Sequence, residues 1–293
     1  MQGKTLSRPG ADLVPSPLRI LSMKFFKLTL LAVTLAASIL ATNALAHDGP
    51  GRGGPDHDGP VHGHDLSGTN VVLVHGALAD GNSWAKVIPL LQARGLHVVA
   101  VQNPLTSLAD DVAATERTIE QQKGPVVLAG HSWAGVVITE AGNNDKVKTL
   151  VYVDAFAPDR GQSINDLLAG LPQAPYNALF IADSGGFLTL PETAIATYFA
   201  QDLSPTEIRT VAATQGPWAE RCLGDKVTQA AWHKKPSIWV IGSQDRFIPP
   251  ALQEKMAANI GAEVVHTPSS HVAMLSRPRV VADAIIAAAE ASK

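Results

Sequence analysis

The feature that most narrows what this chain can become is the run Val126-Val127-Leu128-Ala129-Gly130-His131-Ser132-Trp133-Ala134-Gly135. Its apolar first part, residues 126–129, suits a parallel strand covered on both faces. Gly130 and Ala134 flank Ser132 at equal spacing, and only small side chains let a chain reverse so tightly. A helix is expected from Trp133. A serine on such a turn has its hydroxyl lifted above the sheet beside a helix N-terminus, where a nucleophile can reach a carbonyl carbon. Ala134 stands where the G-x-S-x-G pattern has its second glycine. Alanine is small enough to keep the turn, and Gly135 follows it.

A serine hydroxyl is a weak nucleophile at neutral pH, so it needs a base and a group that orients the base. In a parallel sheet these belong at the C-terminal ends of the strands. Asp245 follows an expected strand at residues 238–241, and His271 follows another that ends near His266. The order Ser132, Asp245, His271 is the one that accompanies a nucleophile on this kind of turn. Asp154, at the end of an expected strand 149–153, is the second candidate for the orienting acid. His75 is read as fixing its own loop by hydrogen bonding, and His131 as structural. The oxygen that becomes negative after attack needs two donors. One is the amide of Trp133. The other comes from the loop His75-Gly76-Ala77-Leu78, with Ala77 the chosen amide and Gly76 permitting the turn that aims it.

Around these residues the pattern alternates. Further strands are expected at 71–74, 97–101 and 263–266. Trp84, Val87, Ile88 and Leu91 recur at helical spacing, with Pro89 either kinking that helix or marking its start. Ser107 and Asp110 resemble a capping box for a helix with Leu108, Val112 and Ile119 inward. Leu252, Met256 and Ile260 form a stripe stopped at Gly261, and Pro278 opens a last helix with Val281, Ile285 and Ala288 inward. Strands alternating with helices imply an α/β fold with a mostly parallel sheet wrapped on both faces. Residues 158–227 break the alternation and read as a helical cap inserted between two strands. Tyr176, Phe180, Phe187, Tyr198, Phe199 and Trp218 are its candidates for lining a pocket.

The N-terminal part is different in kind. Met23-Lys24-Phe25-Phe26-Lys27 is a basic start, residues 28–41 are apolar, and Ala44-Leu45-Ala46 ends the run. This is the layout of a secretory signal peptide beginning at Met23, with the residues before it an upstream extension and cleavage expected after Ala46. The apolar run is short for a membrane span, so no stable insertion is expected after cleavage. Residues 47–65 are Gly, Pro, Asp and His with almost nothing apolar, which suits a flexible leader. His47, His57, His62 and His64 lie there and could bind a transition metal loosely, although their spacing imposes no geometry. The folded domain is expected over residues 66–293. The net charge of -3 offers no basic surface for nucleic acid, and the single Cys222 excludes an internal disulfide.

His75-Gly76-Ala77, Trp84 with Pro89-Leu90-Leu91, Gly130-His131-Ser132, Ala155-Phe156-Ala157-Pro158-Asp159 and the run from His271 to Ser276 together resemble the α/β-hydrolase superfamily. They are most similar to its branch of small esterases and hydroxynitrile lyases, which includes plant methyl esterases. The resemblance covers residue 69 to the C-terminus. It implies a Ser132–Asp245–His271 triad, Ala77 and Trp133 amides for the oxyanion, no metal or cofactor, and a small-molecule ester as substrate. Ser132 argues against the dehalogenases and epoxide hydrolases of the superfamily, whose elbow carries an aspartate. A bulky Trp133 is expected to narrow or reshape the pocket. Three rivals are a carbon–carbon lyase, a ligand-binding receptor on the same scaffold, and a metal-handling protein using the leader.

Overall fold

The computed structural model describes residues 66–292. The upstream extension, signal peptide and His-rich leader read from the sequence lie outside the described residues. In chain order the elements are β1 (Asn70–Val74), α1 (Ile88–Gln92), β2 (His97–Val101), α2 (Leu108–Glu120), β3 (Val126–His131), α3 (Ala134–Ala141) and β4 (Val147–Val153). There follow α4 (Ile164–Leu168), β5 (Ile181–Ala182), β6 (Phe187–Thr189), α5 (Glu192–Ala194), α6 (Pro205–Thr214) and β7 (Trp218–Ala219). The chain closes with β8 (Ser237–Gly242), α7 (Pro250–Ile260), β9 (Glu263–Thr267), α8 (Ala273–Ser276) and α9 (Pro278–Glu290).

Six strands form one sheet in the order β2-β1-β3-β4-β8-β9, and every neighbouring pair is parallel. The apolar runs of β1 and β3 are buried along their whole length, as strands covered on both faces must be. All six expected sheet strands are present. Register brings their C-terminal ends level: Val74 lies opposite Gly130, His131 opposite Val153, and Gly242 opposite Thr267. His75, Ser132, Asp154, Asp245 and His271 all follow these ends, so one edge of the sheet collects every candidate side chain.

Local choices explain the helices that frame this edge. Pro89 sits in the first turn of α1, where its missing N–H costs nothing, so it marks the helix start and not a kink. Ser107 caps α2 by accepting from the Asp110 amide at 3.1 Å. The buried stripe of α2 differs from the expected one: it includes Asp111 and Thr115, while Val112 is only partly covered. Gly261, at φ 65°, ends α7 in the left-handed conformation.

The segment between β4 and β8 is partly helical, as expected, with α4, α5 and α6, and it also holds a small antiparallel sheet, β5-β6-β7, that was not expected. Its strands are two or three residues long, too short to show an alternating pattern. Gly185-Gly186 lies in the hairpin turn between β5 and β6. The Asp183 carboxylate accepts from the amides of Gly185 and Phe187 and holds that turn closed. After α5 the chain continues as a π-helical turn, Ile195–Phe199.

Candidate active site

Ser132 leaves β3 with φ 55°, in the left-handed region that non-glycine residues rarely occupy. That conformation swings the hydroxyl out over the sheet edge. Its amide donates to Val153 O at 3.1 Å and its carbonyl accepts from Phe156 N at 3.3 Å, so β4 holds the turn from behind. Two glycines make the close packing possible. A Cβ on Gly130 would stand 2.7 Å from Ala134 O, and one on Gly135 would stand 2.1 Å from Phe156 O. The position after the serine that demands glycine is therefore Gly135, and Ala134 is accommodated without strain.

The Ser132 hydroxyl, the His271 imidazole and the Asp245 carboxylate form one hydrogen-bonded line. Ser132 Oγ lies 2.8 Å from His271 Nε2, and His271 Nδ1 lies 2.8 Å from Asp245 Oδ2. Asp245 accepts three further bonds, from the amides of Phe247 (2.7 Å) and Ile248 (3.0 Å) and from Gln253 Nε2 (2.8 Å). Phe199 and Phe247 each hold their ring centroid 4.9 Å from that of His271, whose side chain is buried. Burial lowers the His271 pKa and raises that of Asp245. The contact between the two opposes both shifts, because an ionised carboxylate and an imidazolium stabilise each other.

Burial lowers the pKa of His75 and of His131 and so favours their neutral forms. His131 Nε2 donates to the carbonyl of His271 at 2.8 Å and so supports the backbone of that residue. His75 Nε2 accepts from Asn103 N at 2.9 Å, which leaves the proton on Nδ1 to be donated to Gly76 O. His75 is thus tied into its own loop. Among the described residues, the hydrogen-bond partner of His271 Nδ1 is Asp245 and not Asp154. Asp154 Oδ1 accepts from Gly242 N (2.6 Å) and its Oδ2 from Ala273 N (3.2 Å).

The loop after β1 presses on the serine: a Cβ on Gly76 would lie 2.8 Å from Ser132 Cβ. Among the described residues, neither the Ala77 nor the Trp133 amide donates to a protein acceptor. The Trp133 ring lies elsewhere than expected. It is buried against Trp218, ring centroids 5.6 Å apart, and its Nε1 donates to Asp111 Oδ2 at 2.7 Å. The ring is not among the residues that line the cavity beside the site, so the expected narrowing of that cavity by Trp133 is corrected.

That cavity has a volume of about 190 Å³ and lies between the loop after β1, α6 and α8. Leu78, Val211, Val272 and Met274 are among its walls, Ser132 and His271 are not, and the wall residue Phe199 packs its ring on that of His271. Of the six aromatic candidates from the inserted segment, Phe199 lines it. Tyr176 stacks on Phe247 at 4.2 Å, and Trp218 packs on Trp133. Lys86 is the one cation in the lining. Its Nζ is 2.5 Å from Glu207 Oε1 and donates to Leu275 O at 2.9 Å. Among the described residues, no group of three or more His, Cys, Asp or Glu could hold a metal ion.

Asn103, Asp111 and Gln253 are the polar supports that sequence reasoning missed. Asp111 and Gln253 each sit on the buried stripe of a helix. Reading the helical period with polar residues included would have turned both inward.

The sequence profile described as "Alpha/beta hydrolase family" matches residues 71–284. The chain belongs to that family. Within it, the chain is 25% identical to Methylesterase 2 of Arabidopsis thaliana over 75% of this chain and 95% of that one. It is 24% identical to an alpha-hydroxynitrile lyase of the same plant, over 74% and 96% of the two chains. The crystal structure of a pyrethroid hydrolase from Sphingobium faniae superposes with a TM-score of 0.65 at 23% identity, covering 76% of this α/β hydrolase and 98% of that protein.

Proposed function

We propose that this α/β hydrolase cleaves small carboxylic esters through an acyl-enzyme on Ser132. The observation that carries the reading is the unbroken line from Ser132 Oγ through His271 to Asp245, each link 2.8 Å. As Ser132 attacks the ester carbonyl, His271 Nε2 takes its proton, and Asp245 holds the imidazole in the right tautomer and stabilises the imidazolium. The carbonyl oxygen, now negative, faces the amides of Ala77 and Trp133. Collapse expels the alcohol, which receives the proton from His271. A water activated by the same imidazole then releases the acid and restores Ser132.

The cavity suggests the scale of the substrate. Its volume of about 190 Å³ exceeds the roughly 150 Å³ that accommodates benzene in an engineered apolar cavity, so one arm of the ester can be a single ring or a short branched chain. The test is turnover of p-nitrophenyl esters of graded acyl length, with mass spectrometry of trapped enzyme. Hydrolysis with an acyl adduct on Ser132 supports the reading. No turnover of any ester, with no adduct, would remove it.

The lyase reading is weaker because of what stands beside the imidazole. In the lyases that the sequence resembles, a threonine follows the first-strand histidine and a lysine follows the catalytic one. Here those places hold Gly76 and Val272, and the cation in the cavity wall, Lys86, is already paired with Glu207. Export is also part of the proposal and rests on residues 23–46 alone. N-terminal sequencing of the mature protein, expected to begin at His47, tests it.

A further inference from the structure

We infer that Asp154 is a positioning residue that sets the placement of Asp245 relative to His271. The inference rests on the Ser132–His271–Asp245 reading of the site. Asp154 is fully buried at the end of β4, at φ 45°, and its own amide donates to Val240 O at 3.0 Å. Its two carboxylate oxygens then reach two different loops. Oδ1 takes the amide of Gly242, where the loop to Asp245 begins, and Oδ2 takes the amide of Ala273, two residues past His271.

The two loops also join directly, through Ser243 N to Thr267 O and Gln244 N to Ser269 O, both before His271 in the chain. Beyond His271, the tie back to the Asp245 loop among the described residues runs through Asp154. Gly242 records how tight this junction is. A Cβ there would stand 2.9 Å from Asp154 Oδ1 and 2.7 Å from both Ser269 Oγ and Ser270 O. Any side chain at Gly242 would force the loops and the carboxylate apart.

Core packing gives no reason for an acid at this place. Burial, and next the charge of Asp245, both raise the Asp154 pKa, so the residue opposes folding where an apolar one would not. A carboxylate supplies what an amide side chain cannot: two acceptor oxygens, aimed at two N–H groups on separate loops. Asn at 154 would satisfy one amide and turn a donor toward the other. The consequence for the reaction is geometric, since a misplacement of about 1 Å can cost on the order of 10²-fold in rate.

The test compares Asp154→Ala and Asp154→Asn with wild type in kcat, KM, melting temperature and the strongly deshielded proton resonance of the His271–Asp245 hydrogen bond. That resonance is assigned by its loss in His271→Ala. Asp154→Ala is expected to lower kcat for p-nitrophenyl acetate about 10²-fold, with KM within about twofold and the resonance displaced or lost. Asp154→Asn, which retains one acceptor, falls between. Should Asp154→Ala not fold, Asp154→Asn carries the comparison by itself, with a smaller loss of kcat and a displaced resonance expected. Wild-type kcat with an unmoved resonance overturns the inference. So does a loss of activity that follows the melting temperature while the resonance stays in place. If the wild-type protein hydrolyses no ester, the esterase reading fails, and the resonance still decides whether Asp154 positions the pair.

Discussion

Trp133 Nε1 donates to Asp111 Oδ2 at 2.7 Å, and both side chains are buried. The residue that follows Ser132 is therefore anchored to α2 and packed on Trp218 of the inserted segment, turned away from the cavity. Asp111 Oδ1 also accepts from the Leu105 amide, and Leu105 O in turn accepts from Ala219 next to Trp218. One buried carboxylate thus links the Ser132 turn to the inserted segment.

Trp133→Phe leaves Asp111 Oδ2 buried without its donor. A loss of about 1–3 kcal/mol of stability is expected, read as a lower melting temperature. Burial raises the Asp111 pKa from 3.8 to about 6, so the folded state holds this proton more tightly than the unfolded one. Its stabilising contribution is complete below 3.8 and is lost as pH rises to about 6. The melting-temperature difference between wild type and Asp111→Asn should therefore change across that window and be flat above it. A difference independent of pH would show that Asp111 does not titrate there.

Ser132→Ala should lose activity by about 10⁴-fold or more while keeping the fold. Because Ser132 sits at φ 55°, Ser132→Gly should melt higher than Ser132→Ala, by on the order of 1 kcal/mol. Calorimetry on the two inactive variants checks the backbone argument separately from the chemistry.

In the proposed mechanism His271 must be neutral to accept the Ser132 proton. Burial lowers its pKa below the ordinary 6.5, so the acid limb of kcat/KM should lie below that pH, with activity falling as the imidazole protonates. Asp245→Asn should reduce kcat by about 10⁴-fold through loss of tautomer control. A mild effect at Asp245 beside a crippling one at Asp154→Asn would mean that the orienting acid has been misassigned.

Cyanide release from mandelonitrile should not exceed the uncatalysed background. Gly76 and Val272 offer no side-chain donor, and an anion left uncompensated in a dry cavity costs several kcal/mol. Efficient cyanide release with no ester turnover reverses the assignment, and Lys86→Ala would then show whether Lys86 leaves Glu207 to meet the anion.

The sequence by itself determined the sheet and the identity of the candidates along its edge. Strands such as 126–129 are continuous apolar runs, and Ser132, Asp245 and His271 follow strand ends in a set order, so local pattern carries them. The tertiary structure decided what depends on residues distant in the chain. Asp154 and Asp245 are both acids after strand ends, and only the folded packing shows that Asp245 meets the imidazole while Asp154 meets two backbone amides. Trp133 could face the cavity or the interior, and the buried Asp111, 22 residues away, settles it. The short strands β5 to β7 exist through pairing across a hairpin and across the inserted segment, which no period along the chain records. Side-chain direction and hydrogen-bond partner are set by contacts across the fold, and such contacts leave no periodic trace in the order of the residues.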